Sequence, residues 1–170
     1  LNPDDLEDAE KVPEPSFKRD ESKIVSNWIN RGIVAARKNY VGGITGLNTG
    51  IVENCTSEVV ADETAQDITD ASSLKGDYAG GISGYNNGVI TADTNTLSGL
   101  ISSDDRISLV CYITGKNYVG GIVGYNDVDA EVNNYALTGG HIKGTGTFVG
   151  GFAGINVSKS LLAGQIIESN

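Results

Sequence analysis

The chain has 170 residues and a mass of 17.7 kDa, enough for one domain with a sizeable core and too little for a multidomain enzyme. Glycine fills 23 positions, proline three and methionine none, which excludes collagen and proline-rich low-complexity chains and implies that the glycines serve a defined geometry. With 22 acidic against 12 basic side chains the net charge is -10, which disfavours nucleic acid and anionic membrane surfaces as partners, and no stretch approaches the roughly 18 apolar residues of a membrane span.

Residues 1–22 hold all three prolines (Pro3, Pro13, Pro15) and eight acidic against three basic side chains. This composition predicts an acidic flexible tail or linker, followed by a repeat domain over residues 23–170. The entry to that domain, Asp20 to Ile29, reads two ways. Ile24, Val25, Trp28 and Ile29 fall at helical spacing and suit a short capping helix, whereas Lys23 to Ile29 also suits a strand. Either form would close the first repeat against water and edge pairing, with Trp28 packed beneath it.

The repeat itself is the most informative feature of the sequence. Four copies are Asn39-Tyr-Val-Gly-Gly-Ile-Thr-Gly-Leu-Asn48, Asp77-Tyr-Ala-Gly-Gly-Ile-Ser-Gly-Tyr-Asn86, Asn117-Tyr-Val-Gly-Gly-Ile-Val-Gly-Tyr-Asn126 and Thr147-Phe-Val-Gly-Gly-Phe-Ala-Gly-Ile-Asn156. The closing asparagines lie 38, 40 and 30 residues apart, so a constant core unit carries loops of variable length. After the asparagine come Asn48-Thr-Gly-Ile-Val52 and Asn86-Asn-Gly-Val-Ile90, and Asn30-Arg-Gly-Ile-Val34 matches them as a weaker fifth copy. Asparagine and glycine both tolerate positive φ, so each Asn-x-Gly predicts a sharp turn into a β-branched strand. Asn126-Asp-Val-Asp129 and Asn156-Val-Ser-Lys159 lack that glycine and predict turns of another build.

A third fragment precedes each anchor: Leu74-Lys-Gly76, Ile113-Thr-Gly115 and Ile142-Lys-Gly144. Each unit therefore supplies about three short strands, including Leu109 to Thr114 and Ala136 to Lys143. The predicted fold class is all-β, a parallel β-helix (β-solenoid) of about four to five degenerate repeats, with a β-propeller as the structural alternative. Leu161 to Ile167 still reads as a strand with no cap after it, which predicts that the chain continues or pairs end to end with another molecule.

If the anchor is one extended strand, Tyr40, Gly42, Ile44, Gly46 and Asn48 share one face and Val41, Gly43, Thr45 and Leu47 the other. Stacked copies then form ladders of Tyr40, Tyr78, Tyr118 and Phe148, of Ile44, Ile82, Ile122 and Phe152, and of Asn48, Asn86, Asn126 and Asn156. The apolar ladders fill the interior, and the asparagine amides, which donate and accept, bond from copy to copy. The paired glycines call for a bulge, a positive φ or the close approach of another backbone. From its aromatic residue to its closing asparagine no anchor contains a charged residue, so these strands are either covered on both faces or present one flat, uncharged docking surface. Tyr85 and Tyr125, with Leu47 and Ile155 at the equivalent positions, are the candidate ligand-binding residues: their rings suit stacking on sugars or a peptide, and packing between layers is the alternative.

The pattern Tyr-Val-Gly-Gly-Ile-x-Gly-Tyr/Leu-Asn, followed in the first copy by x-Gly-Ile-Val-x-x-Cys55, resembles the GLUG repeat of large secreted or wall-attached bacterial proteins, among them immunoglobulin A metallopeptidases and adhesins. The likeness covers Asn30 to about Asn170. Gly43-Ile-Thr-Gly46, Gly81-Ile-Ser-Gly84, Gly121-Ile-Val-Gly124 and Gly151-Phe-Ala-Gly154 place Ile or Phe where that pattern has Leu. The resemblance implies a non-catalytic stalk or binding region outside the cell, with any peptidase chemistry in other domains.

Catalytic chemistry is poorly supplied. His141 is the only histidine, so His-Glu-x-x-His zinc sites and histidine-dependent triads are absent, and Gly-x-Ser-x-Gly does not occur; His141 itself, beside a predicted strand, reads as a solvated or loop residue. Gly144-Thr-Gly-Thr-Phe-Val-Gly150 fails as a dinucleotide loop because its third glycine comes one place late and no helix follows. Asn126-Asp127-Val-Asp129-Ala-Glu131, and Asp62-Glu63 with Asp67 and Asp70, are acidic clusters that match no complete calcium loop. Asp104-Asp105 beside Arg106 is the best carboxylate pair for a polysaccharide-active β-helix. Cys55 and Cys111, with 55 residues between them, are too distant for a CxxC pair and leave a single disulfide or two buried thiols as alternatives.

The sequence thus predicts no catalytic residue, cofactor or metal. The function it points to is a structural or adhesive module that binds a host or cell-surface protein or glycan, or neighbouring domains of a longer chain. The alternatives are a substrate-presenting part of a secreted peptidase and, third, an enzyme acting on polysaccharide.

Overall fold

Strands form where β-branched and aromatic residues lie between asparagine and glycine turns. The computed structural model describes residues 17–32, 34, 39–57, 77–92, 110–137, 139–158 and 163–166. Among these residues the chain is all β, with no helix, and its strands pair in parallel. In chain order, β1 (Ile24–Ser26) and β2 (Ile29–Asn30) precede the first anchor, β3 (Tyr40–Gly42) and β4 (Thr45–Asn48), and β5 (Ile51–Glu53) and β6 (Thr56–Ser57) follow it. The second copy supplies β7 (Tyr78–Gly80), β8 (Ser83–Asn86) and β9 (Val89–Thr91). The third supplies β10 (Val110–Gly115), β11 (Tyr118–Gly120), β12 (Val123–Asn126) and β13 (Glu131–Leu137), and the fourth β14 (Gly139–Gly144), β15 (Val149–Gly150), β16 (Ala153–Asn156) and β17 (Ala163–Ile166).

Equivalent strands of successive copies are neighbours. The sheets run β15-β11-β7-β3, β16-β12-β8-β4 and β1-β5-β9-β13-β17, with two-stranded sheets β2-β6 and β10-β14. The register follows the sequence repeat: Tyr40 opposes Tyr78 and Tyr78 opposes Tyr118, while Val52 opposes Ile90 and Ile90 opposes Val132. The fragments before the anchors also align, with Ile113 opposite Ile142 and Gly115 opposite Gly144; Leu74 to Gly76 lies outside the described residues.

The N-terminal stretch is strand, and the capping helix is not formed. Ile24, Val25 and Ser26 add to the free edge of β5 opposite Ile51, Val52 and Glu53, and the Ile51 amide donates to the Lys23 carbonyl at 2.8 Å. Edge hydrogen bonds outweigh the weak helical spacing of so short a segment. Asn27, at φ 60°, turns the chain between β1 and β2, and Trp28 is 66% exposed and not packed beneath a cap. The fifth copy is also displaced. Asn30 Oδ1 accepts from the Gly32 amide at 2.9 Å as an Asn turn should, yet Asn30 opposes Ser57, and the strand opposite Ile51 begins at Ile24.

The anchor is two strands, not one. The break at Gly43-Ile44 and its equivalents turns the chain, so the two-residue alternation does not carry across it. Val41, Ala79 and Val119 therefore share the buried core with Ile82 and Ile122, although strict alternation puts them on opposite faces. Val52, Ile90 and Val132, with Cys55, Ile113 and Tyr135, complete that core, and Ile44 and Phe152 pack against it. Each such aliphatic side chain contributes roughly 1.5 to 3 kcal/mol by leaving water.

The glycines serve close backbone approach. A β-carbon on Gly84 would lie 2.5 Å from the Val41 nitrogen and 2.7 Å from the Tyr78 carbonyl oxygen, and one on Gly124 would lie 2.7 Å from the Tyr118 oxygen. The second half of each anchor thus rests directly on the backbone of the first, which no side chain would permit.

Candidate functional site

The closing asparagines build a continuous polar ladder between the sheets. Asn48 Nδ2 donates to Asn86 Oδ1, Asn86 to Asn126 and Asn126 to Asn156, each at 2.8 Å. The same oxygens hold the turns, accepting from the amides of Gly50 at 3.1 Å, Gly88 at 3.2 Å and Ser158 at 3.3 Å. The third turn is built differently, as its sequence suggests: the Ala130 amide bonds to the Asp127 carbonyl at 3.1 Å. The fourth keeps the asparagine bond even though Ser158 replaces the glycine.

Two aromatic ladders run beside this one. Tyr40, Tyr78, Tyr118 and Phe148 stand in sequence with ring centroids 4.9, 4.5 and 5.3 Å apart. Leu47, Tyr85, Tyr125 and Ile155 align in register across β4, β8, β12 and β16, and the two tyrosine rings stack at 5.0 Å and 8°. The structure therefore brings the four sequence-predicted binding residues into one row. The rows also meet each other edge to face: Tyr40 with Tyr85 at 5.4 Å, Tyr78 with Tyr125 at 6.1 Å and Tyr118 with Tyr125 at 5.8 Å. Such pairs contribute about 0.5 to 1.5 kcal/mol each beyond burial. Strict alternation hid this meeting, because it sent the Tyr40 row to the interior and the Tyr85 row to the opposite face.

Exposure is least in the second copy. Tyr85 is 2% and Tyr78 8% exposed, Tyr40, Leu47, Tyr118, Tyr125 and Ile155 are half-buried, and Phe148 at the far end is 51% exposed. The Tyr85 hydroxyl donates to Asp127 Oδ2 at 2.8 Å. Burial first, and then this bond to a carboxylate, push the Tyr85 phenol well above its ordinary value, and burial does the same for Tyr78.

At the near end the N-terminal segment lies on the tyrosines. Phe17 meets Tyr40 at 6.3 Å and Tyr85 at 6.2 Å, both edge to face, and its carbonyl accepts a bond from Asn87 Nδ2. Arg19 reaches to the Asp129 carbonyl at 2.7 Å and to Glu131 at 3.5 Å, and the Asp20 amide bonds to the Thr49 carbonyl at 2.7 Å. Among the described residues contact with the repeat thus starts at Phe17, inside the stretch that composition marks as linker; residues 1–16 lie outside the described residues. Phe17 is the only aromatic residue of that stretch, the one local signal that could have indicated docking.

The remaining candidates resolve as follows. Among the described residues no three His, Cys, Asp or Glu side chains converge as metal ligands. In the 126–131 loop the side-chain oxygens of three residues have internal partners: Asn126 belongs to the ladder, Asp127 accepts from Tyr85, and Glu131 bonds Arg19 and Asn133. His141 is exposed on β14. The 144–150 glycine segment turns from β14 into β15, with the Gly146 amide on the Lys116 carbonyl at 2.7 Å. Cys55 is a buried free thiol, not half of a disulfide, and burial raises its pKa. Asp62, Glu63, Asp67, Asp70, Asp104, Asp105 and Arg106 lie outside the described residues.

No family model matches this chain, and no curated protein or solved structure matches it.

Proposed function

We propose that this chain is a non-catalytic repeat module, its stacked sheets being the rungs of a GLUG-like β-solenoid, which serves a secreted or surface-attached bacterial protein by binding a protein or glycan. The observation that carries this reading is the pair of aromatic rows, in register from copy to copy and opening from buried Tyr85 to exposed Phe148. A row of tyrosines and phenylalanine offers flat apolar contact at little cost in side-chain entropy, which suits sugars and peptides alike. Tyr78 and Tyr85 are the packed part of the surface, Leu47 is half-buried beside them, and Tyr125, Phe148 and Ile155 form its accessible end.

Capture on arrays of glycans and cell-surface proteins tests the proposal. One ligand class is expected to be held by the unaltered chain and lost when Tyr125→Ala and Phe148→Ala are combined, with the strand signal in circular dichroism preserved. Capture that survives the double change removes the aromatic rows from the function. Capture of nothing leaves a spacer.

A further inference from the structure

Resting on the reading of the aromatic rows as a binding surface, we propose that the segment Phe17–Arg19 is the molecule's own occupant of that surface. It displays the chemistry of the partner that replaces it: an extended peptide bearing an aromatic side chain and, two residues on, an arginine.

Three contacts define the site. The Phe17 ring stands edge to face on one tyrosine of each row, Tyr40 and Tyr85, so the notch between the rows accepts an aromatic edge. The Asn87 side-chain amide bonds the Phe17 carbonyl, a main-chain contact that any peptide can offer. Beyond it the Asp129 carbonyl and the Glu131 carboxylate take the two terminal nitrogens of Arg19 at 2.7 and 3.5 Å. A planar guanidinium suits such a pair of acceptors better than an ammonium, and the acidic rim of a chain with net charge -10 attracts basic peptides.

The occupant is held in a way that allows exchange. Arg19 also pairs with Glu21 at 2.8 Å, within its own segment, and its Nε is buried without an acceptor. A buried donor left unmatched weakens the hold, and a competing peptide free of the neighbouring acid loses less when it docks. The segment thereby lowers the apparent affinity of the surface for outside peptides by occupying it.

The test uses the full chain and a fluorescent peptide with the sequence of residues 14–21, Glu-Pro-Ser-Phe-Lys-Arg-Asp-Glu. The peptide is expected to bind the chain carrying Phe17→Ala and Arg19→Ala about tenfold or more tighter than the unaltered chain. Binding is expected to disappear when the peptide's phenylalanine becomes alanine or its arginine becomes glutamate. Equal binding to both chains, or none to a double variant that keeps its strand signal, overturns the proposal. Should that variant not fold, excess peptide added to the unaltered chain is to shift the ring resonances of Tyr40 and Tyr85; unshifted rings overturn it as well. The outcomes also separate this proposal from the broader one. Peptide binding with an empty array retains this site and removes the adhesive role, whereas an array glycan held equally by both chains retains the adhesive role and removes this site.

Discussion

Asn86 donates its side-chain amide to Asn126 at 2.8 Å, and both residues are wholly buried. The bond joins two copies 40 residues apart in sequence, and the oxygen and nitrogen of Asn86 also fasten the neighbouring turn and strand. Asn86 accepts from Asn48 and from the Gly88 amide, and donates to the Glu131 carbonyl as well. A buried amide with this many partners acts as a rivet between copies.

Replacement of Asn86 by alanine is therefore expected to cost about 3 kcal/mol, because it strands several buried donors and acceptors at once. Asn156 ends the described ladder at an exposed position, and Asn156→Ala is expected to cost less than about 1 kcal/mol. Urea unfolding midpoints of the two variants measure the difference. Equal losses would show that the ladder does not act through burial.

The glycine contacts predict a second contrast. At Gly84 a methyl group would collide with the backbone of Val41 and Tyr78, and backbone cannot move aside, so Gly84→Ala is expected to destabilise by about 3 kcal/mol or prevent folding. At Gly32 the nearest atom to an added methyl is Asn30 Oδ1 at 3.4 Å, and Gly32→Ala is expected to stay within about 0.5 kcal/mol. Thermal unfolding of both variants provides the comparison.

The buried phenols set a limit at alkaline pH. Tyr78, Tyr85 and Tyr135 have folded-state pKa values raised above the ordinary tyrosine value by burial, reinforced at Tyr85 by the bond to Asp127. Below pH about 10 these groups are neutral in both the folded and unfolded states, so their contribution to stability is complete there. Above it the unfolded chain loses protons that the folded chain retains, and stability falls as pH rises. Tyrosinate absorbance should consequently appear together with loss of strand signal. Tyr85→Phe should make the decline with pH shallower. A full tyrosinate titration of the folded chain at the ordinary value would contradict this.

Cys55 offers a probe of opening. Its side chain is 0% exposed, its sulfur lies 3.3 Å from the Glu53 carbonyl, and the Tyr135 hydroxyl bonds the Cys55 carbonyl at 2.7 Å. With burial also disfavouring its thiolate, alkylation of Cys55 in the folded chain is expected to be at least ~100-fold slower than in denaturant. Mass spectrometry of the peptide carrying Cys55 follows the reaction.

Much of the architecture was legible from the repeat. A unit that recurs with Asn48, Asn86, Asn126 and Asn156 at its close stacks most economically as parallel copies in register, and an amide that both donates and accepts is suited to bridge them. Turn chemistry was equally local: Asn48 and Asn86 bond the amide two residues on because the short side chain mimics a backbone turn. These features depend on residue type and spacing alone, so the sequence by itself determined them.

Other features required knowledge of where the backbone bends. Period-two alternation holds within one strand, but the chain turns at Gly43-Ile44, and beyond the turn each side chain takes its face from the new strand. Only the tertiary structure could therefore place Val41 and Ala79 in the core with Ile82, or bring Tyr40 and Tyr78 against Tyr85. It likewise decided that the glycines mark backbone contact, that Ile24 to Ser26 extends a sheet edge where spacing also allowed a helix, and that Phe17 rests on the tyrosine rows. Each of these outcomes turns on which distant surface lies within reach, and a contact between segments far apart in sequence leaves no mark in local spacing or composition.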